Sequence, residues 1–393
     1  MTAIRAQKYR YMKEYTFLFL GNTGFRSAPQ REHALAIELA NKGYSVIFIE
    51  GMPSLGLIIK ERLYSFVFNY KTETRDVHLP LKLTVLVPPT VPTFFRSSYT
   101  PQMDIRIFSK WFNKEIANII WQKTIVIATF PYWWYGFFSR KLYPCKYLIY
   151  DKCDSLQVAS RNMKTLAKMK KAEQNLVKEA DLITYSAYTM LDEFSNNSEV
   201  QSLCVPNALS EKFVKHTKVF SNSFRTKIGF IGAFDSRWID LELIKKAVNA
   251  FPNHKFTFIA PFRRKFNQSL SKLSNVELCG FVNQNDIPEL LSEFKIALIP
   301  FLQNPITHVV NPLKLYEYCA AGVPIIAMRT QELEHYSDII RLANTHDEFV
   351  NLLTESLSEN DMNIRIKRIK FAEDNTWIKR TDQLLEYIQK HIS

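Results

Sequence analysis

Glycine is scarce in this chain, with 10 residues in 393, so each glycine in a loop marks a place where the backbone needs room or an unusual turn. Cysteine is nearly as rare. Cys145, Cys153, Cys204, Cys279 and Cys319 show no paired spacing, which excludes a zinc ribbon, a redox pair and a disulfide framework, and they read as reduced thiols. No uncharged run reaches the ~18 residues that a membrane span needs. The longest candidate, "TIVIATFPYWWYGFF", is short and broken by proline. The basic N-terminus lacks a leader pattern, because "TFLFL" is too short for an apolar core and runs into a polar loop. Low-complexity segments and internal repeats are also missing.

What is present is an ordinary globular composition, 47% hydrophobic and 23% charged, with 29 Phe, 18 Tyr and 6 Trp. The net charge of +13 is uneven. Residues 1–206 hold 27 basic against 17 acidic side chains, a balance of +10, and the remainder holds 24 against 21, a balance of +3. A basic first half suggests an anionic partner there. No aromatic–basic nucleic-acid motif accompanies it, so the expected partner is an anionic membrane face and not nucleic acid. "SLGLIIKERLYSFVFNYK" and the basic helix carrying Lys164, Lys168, Lys170 and Lys171 are the segments expected to dock.

Short apolar strands alternate with helices of 10–15 residues throughout. "YTFLFLG", "YSVIFIE", "KLTVLVPP", "QKTIVIATF", "CKYLIYD" and "ADLITYS" form one series, and "SLCVPNALSEKF" reads as a strand leading into a linker. A second series begins at "TKIGFIGAF" and continues through "HKFTFIAP", "NVELCGFV", "KIALIPF" and "PIIAM". This pattern predicts an α/β protein with two doubly wound, Rossmann-like domains facing a cleft. The expected boundaries are residues 1–206, residues 207–375, and a C-terminal helix over 376–393 crossing back to the first domain. Ligands of such sheets bind beyond the C-terminal strand ends.

The stretch "NPLKLYEYCAAGVPII" is the most informative. Asn311 is expected to cap a helix, Pro312 to open it and Gly322 to end it. Lys314 lies in the first turn and Glu317 one turn later. A helix N-terminus attracts phosphate, and a lysine there adds a full positive charge. An acid beside an anion site needs another task, and binding ribose hydroxyls is one. The pattern reads as a nucleotide diphosphate site.

With these loops placed, the chain resembles the GT-B glycosyltransferases, specifically bacterial enzymes of cell-surface polysaccharide assembly such as the teichuronic acid transferases and the xanthan glucuronosyltransferase. "QREHALAIELANKGYSVIFIE", "LIYDKCDSL", "EADLITYS", "VPNALSEKF", "GFIGAFDSRWID", "IPFLQNPITHVVNPLKLYEYCAAGVPIIA" and "FAEDNTWIKR" occur in that family's order. The resemblance implies an acceptor-binding first domain and a nucleotide-sugar-binding second domain, with no further cofactor. Lys314 is implied in catalysis through the donor diphosphate, and Glu317, Asn311, Arg237, Arg263, Phe281 and Thr307 in donor binding. Gly21, Gly24, Arg31 and Asp151 fall in acceptor-side loops. No Asp-x-Asp motif is present, which fits a metal-independent transferase with no metal site.

Two departures matter. Retaining relatives carry a glutamate eight residues before the Glu317 position, where this chain has Val309. The paired basic residues usual after the first strand of the second domain are missing from "GAFDSRW", and Arg237, Arg263 or Arg264 are the candidates to replace them. The first departure favours an inverting reaction, which needs a general base for the acceptor hydroxyl. Asp154, just past "KYLIY", is the leading candidate, ahead of His33 and Glu50. The expected activity is transfer of a sugar to a lipid-linked or polysaccharide acceptor, in the cytoplasm at the inner membrane face. A sugar-nucleotide epimerase or hydrolase on the same fold, and a non-catalytic binder of membrane or nucleic acid, are the alternatives.

Overall fold

The computed structural model describes residues 11–25, 30–53, 79–91, 102–160, 162–191, 200–219, 225–260 and 264–392, with single positions 58, 193 and 194. The expected membrane-facing segment Leu55–Val67 and Arg263 lie outside the described residues, apart from Ile58. The chain divides into two units. Unit 1 comprises Met1–Ser186, Leu191–Val205 and Thr381–Ser393, and unit 2 comprises Ala187–Met190 and Pro206–Arg380.

Unit 1 runs β1 (Thr16–Leu20), α1 (Arg31–Asn41), β2 (Ser45–Ile49), β3 (Leu83–Leu86), α2 (Gln102–Glu115), β4 (Thr124–Ala128), β5 (Tyr147–Lys152), α3 (Leu156–Ala159), α4 (Met163–Glu179), β6 (Leu182–Tyr185) and β7 (Gln201–Cys204). The strands form one sheet in the order β3-β2-β1-β4-β5-β6-β7, and every pairing is parallel. A parallel sheet covered on both faces needs continuously apolar central strands. "TIVIA" in β4 meets that need, with all five residues buried. The strand order reverses between β1 and β4.

Unit 2 runs α5 (Glu211–Val219), β8 (Lys227–Ile231), α6 (Leu241–Ala250), β9 (Phe256–Ile259), α7 (Arg264–Leu270), β10 (Val276–Cys279), α8 (Ile287–Ser292), β11 (Phe294–Ile299), α9 (Leu313–Ala320), β12 (Ile325–Met328), α10 (Gln331–Glu334), β13 (Arg341–Ala343), α11 (His346–Leu357) and α12 (Met362–Asp374). The final helix, α13 (Trp377–His391), starts in unit 2, and its residues from Thr381 onward belong to unit 1. The sheet order is β10-β9-β8-β11-β12-β13, all parallel, with its reversal between β8 and β11.

Both series of strands read from the sequence are therefore present. The expected linker after β7 is instead helix α5, capped where Ser210 Oγ accepts from Phe213 N at 3.1 Å. Helix α9 ends as its sequence demands. Gly322 takes φ +61°, the left-handed region that a Cβ disfavours, and a Cβ there would also sit 3.0 Å from Arg365 Cγ of α12.

Candidate functional site

In each unit the C-terminal strand ends carry the unusual side chains, as expected for open α/β sheets. In unit 2 they lie beside the order reversal, in the β8–α6 loop, residues 232–240, and the β11–α9 loop, residues 300–312. The loops are stitched together. Asp240 N donates to Pro300 O at 2.9 Å, Leu302 N to Trp238 O at 2.8 Å, and Asn304 Nδ2 to Arg237 O at 2.8 Å.

Lys314 stands in the first turn of α9 and pairs with Glu317 at 2.8 Å. Glu317 is 1% exposed and Lys314 is 22% exposed, so the acid is walled in while the ammonium reaches solvent. A Cβ at Gly232 would lie 3.4 Å from Lys314 Cε and 2.8 Å from Phe230 Cζ. The missing side chain at the end of β8 thus leaves bare backbone beside the lysine, which is what close approach of a phosphate requires. The unpaired amides of the α9 N-terminus add positive potential at the same corner.

Asn311 does not cap α9. Pro312 holds the cap position, with no side-chain cap bond. Asn311 turns inward instead. Its Nδ2 donates to Glu332 Oε1 at 2.9 Å and to Tyr336 Oη at 2.7 Å, and its Oδ1 accepts from Tyr316 Oη at 3.0 Å and Asn207 N at 3.1 Å. The amide is fully used, so no side-chain group of Asn311 is left for a ligand. Glu332, fully buried, also accepts from Thr189 N and Oγ1, each at 3.2 Å. This network locks the peptide that enters α9, and the sequence reading did not mark Glu332, Tyr336 or Asn207.

The other expected donor residues differ in availability. Arg237 is held by Asp235 of its own loop, with Nε and Nη2 each at 3.0 Å, and stacks over Trp238 at 4.6 Å. Its charge is largely neutralised by that partner. Thr307 is fully buried, and its Oγ1 serves Asn304 and Leu302 within its loop. Phe281 is 57% exposed just past β10. The side chain of Arg264 lies, like Arg263, outside the description.

In unit 1, Arg31 and Asp151 are buried and bonded to each other. Arg31 Nε and Nη2 each reach Asp151 at 2.9 Å, and Nη1 donates to Val205 O. Thr184 Oγ1 donates to Asp151 Oδ1 at 2.6 Å, from the register partner on β6. The two residues expected in acceptor-side loops are therefore internal, which removes them from direct acceptor contact. The neighbouring Lys152 is also buried, paired with Glu173 at 2.6 Å and Glu193 at 3.0 Å.

Glu32, which the sequence reading passed over, anchors the glycine loop. It accepts from Asn22 N at 2.9 Å, Thr23 N at 2.8 Å, Thr23 Oγ1 and Thr129 Oγ1. Gly21 and Gly24 belong to this packing, not to an open cradle. A Cβ at Gly21 would strike Phe48 at 2.6 Å, and one at Gly24 would lie 3.1 Å from Glu50 Oε2. Burial pushes His33 down, so it is neutral near pH 7. Its Nδ1 accepts from Gln30 N at 3.2 Å, which leaves the proton on Nε2, facing Thr23 Oγ1 at 3.2 Å. Glu50 accepts from Phe25 N at 2.8 Å. Both outside candidates for a base are thus engaged in holding the loop.

Asp154 is different. It follows β5, is exposed, and has no hydrogen bond or ion pair among the described residues. Ser155 caps α3, with its side chain accepting from Gln157 N, so Asp154 is free of that duty. Surrounding protein strips some of its water and pushes its pKa up to about 6, against the pull of Arg31 and Lys152. Because its surface is open, solvent screening makes that rise an upper bound. Among the described residues there is no group of three or more His, Cys, Asp or Glu placed to hold a metal, and no helix is long and apolar enough to cross a membrane.

Comparison with known proteins agrees with this architecture. Residues 225–359 match the family described as Glycosyl transferases group 1. The putative teichuronic acid biosynthesis glycosyltransferase TuaH of Bacillus subtilis (strain 168) is 25% identical over 288 residues, covering 66% of this chain and 72% of TuaH. Among solved structures, sucrose-phosphate synthase from Thermosynechococcus elongatus superposes with a TM-score of 0.68 at 12% identity, covering 96% of this chain and 98% of that one. Anabaena HepE in complex with UDP gives 0.66 at 13% identity, covering 95% and 100%. The two parallel-sheet units match the GT-B fold class of those glycosyltransferase structures. The chain is a glycosyltransferase of that class, and residues 225–359 form its group 1 glycosyl transferase domain.

Proposed function

We propose that the enzyme moves a sugar from a nucleotide-diphosphate donor to a lipid-linked or polysaccharide acceptor in cell-surface polymer synthesis, with inversion and without a metal ion. The observation that carries this reading is the Lys314–Glu317 pair beside the bare backbone of Gly232, at the order reversal of unit 2. Donor binding draws Lys314 from Glu317 to the diphosphate and frees the buried carboxylate for ribose hydroxyls. As the glycosidic bond breaks, charge grows on the leaving diphosphate, and Lys314 with the α9 N-terminus stabilises it. Asp154, raised toward neutrality and unpartnered among the described residues, takes the proton of the attacking hydroxyl. Support for the donor class comes from HepE, whose structures hold UDP, and UDP with glucose. Support for the polymer class comes from TuaH.

Docking on an anionic membrane from the cytoplasmic side belongs to the same proposal. Helix α4 exposes Lys164, Lys170, Lys171 and Lys178 beside Met163, which is 77% exposed. Lys168 leaves the expected face, since it is half-buried over the Tyr135 ring at 4.2 Å.

The test is turnover with a panel of nucleotide sugars in the presence of EDTA, with NMR of the product anomer. Inverted product formed in EDTA supports the reading. Retained configuration removes the Asp154 base, and loss of activity restored by a divalent ion removes the metal-free mechanism.

A further inference from the structure

The buried Arg31–Asp151 pair is turned inward, yet it sits immediately before Asp154, an exposed carboxylate with no partner among the described residues. We propose that Arg31, acting through Asp151 and Thr184, is a positioning residue that fixes the loop carrying Asp154. This rests on the reading of Asp154 as the general base.

The geometry is a clamp on every residue leading to Asp154. Asp151 takes both arms of the Arg31 fork on one side and the Thr184 hydroxyl from β6 on the other. Arg31 is itself fixed at its third nitrogen by Val205 O. Lys152 is tied to Glu173 and Glu193. Cys153 is pinned twice, by its Sγ at 3.6 Å from Asp151 Oδ2 and by Ser186 Oγ donating to its carbonyl. Asp154 is the first residue after this run with no such bond among the described residues. A planar guanidinium in a two-armed contact restrains orientation as well as distance, which a lysine cannot do. A base must lie within hydrogen-bond reach of the proton it takes, so its backbone has to be held before the acceptor arrives.

Arg31 of α1 and Lys152 of β5 are the charges that act on Asp154, and both favour its ionised form. Burial holds Cys153 well above its ordinary value, so it stays protonated and donates.

The experiment is a double-mutant cycle on the full chain, with Arg31→Lys, Asp154→Asn and the pair, reading kcat and donor KM separately. Arg31→Lys keeps the charge and loses the fork. It should lower kcat by up to about 10²-fold, as misplacement of a catalytic group by about 1 Å does, with donor KM unchanged. In the Asp154→Asn background it should cost nothing further. Thr184→Val, which removes one bond to Asp151 and fits the same space, should show the same pattern at smaller size, and it decides the matter if Arg31→Lys does not fold. An equal loss from Arg31→Lys or Thr184→Val with and without Asp154, or a loss expressed in donor KM, overturns the inference. If Asp154→Asn is inactive and neither substitution changes kcat, the inference fails while the base reading stands. If Asp154→Asn keeps full activity, both fall.

Discussion

The strand-end regions of the two units share a parallel-sheet topology and differ in the charge they expose. In unit 1 the buried ions Arg31, Glu32, Asp151 and Lys152 are consumed in ion pairs and loop hydrogen bonds, and Asp154 beside them stays open. In unit 2 the corner presents one ammonium, Lys314, against a walled-in acid, with glycine backbone beside it. An anionic corner suits removal of a proton, and a cationic one suits a leaving diphosphate. In the proposed reaction Asp154, past β5, takes the proton and Lys314, past β11, faces the leaving diphosphate, so the two roles come from different strand positions in the two sheets.

The contrast between Asp154 and Asp151 should give the largest effects. Asp154→Asn is expected to lower kcat by ~10²–10⁴-fold, the usual share of a general base, with donor affinity and fold retained. Asp151→Asn leaves Arg31 buried without its charge, and breaking such a pair costs about 3–5 kcal/mol, so this variant should lose stability in a thermal melt. If the two variants behave alike, the division between working and structural carboxylates is wrong.

Next in size is the unit 2 pair. Lys314→Ala should lower kcat by ~10²–10³-fold, the range seen for loss of one preorganised charge-stabilising donor, and should weaken donor binding less. Glu317→Gln keeps the size of the side chain and removes the charge. It should weaken donor affinity about tenfold, equivalent to about 1.4 kcal/mol, measured by titration. A Lys314→Ala enzyme with normal turnover would make the pair an ordinary helix-surface contact.

The smallest effect is in pH dependence. The pKa of Asp154 is raised from the ordinary 3.8 to about 6, so its ionised form and the activity should fall as pH drops through about 6. The stability sign runs the other way. A carboxyl whose folded pKa is raised contributes stability below its unfolded value and loses it as pH rises through the folded value. Asp154→Asn should therefore raise the melting temperature slightly at pH 8 and not at pH 4. A melting temperature that falls at pH 8 would show Asp154 to be a structural acid.

Much of this fold was legible because each strand is a short continuous apolar run and α9 carries its own stop signal in Gly322. Elements with weak local signals were not legible. Helix α12, "MNIRIKRIKFAED", has charges spread around it, and β13 is three residues long. The candidate site divides in the same way. Lys314 and Glu317 are one helical turn apart, so local periodicity brings them together. Arg31 and Asp151 are separated by 120 positions, and nothing near either residue announces the partner. Asn311 looked like a cap because asparagine before proline commonly is one, and only Glu332, Tyr336 and Asn207, all distant in sequence, draw it inward.

The most direct test of the division between the corners is calorimetric titration of UDP, GDP, ADP and CDP into the wild type, Lys314→Ala and Asp154→Asn. At least one nucleoside diphosphate should bind the wild type and Asp154→Asn with equal affinity and bind Lys314→Ala more weakly. Binding that survives in Lys314→Ala and is lost in Asp154→Asn, or no binding of any of the four, would contradict the account.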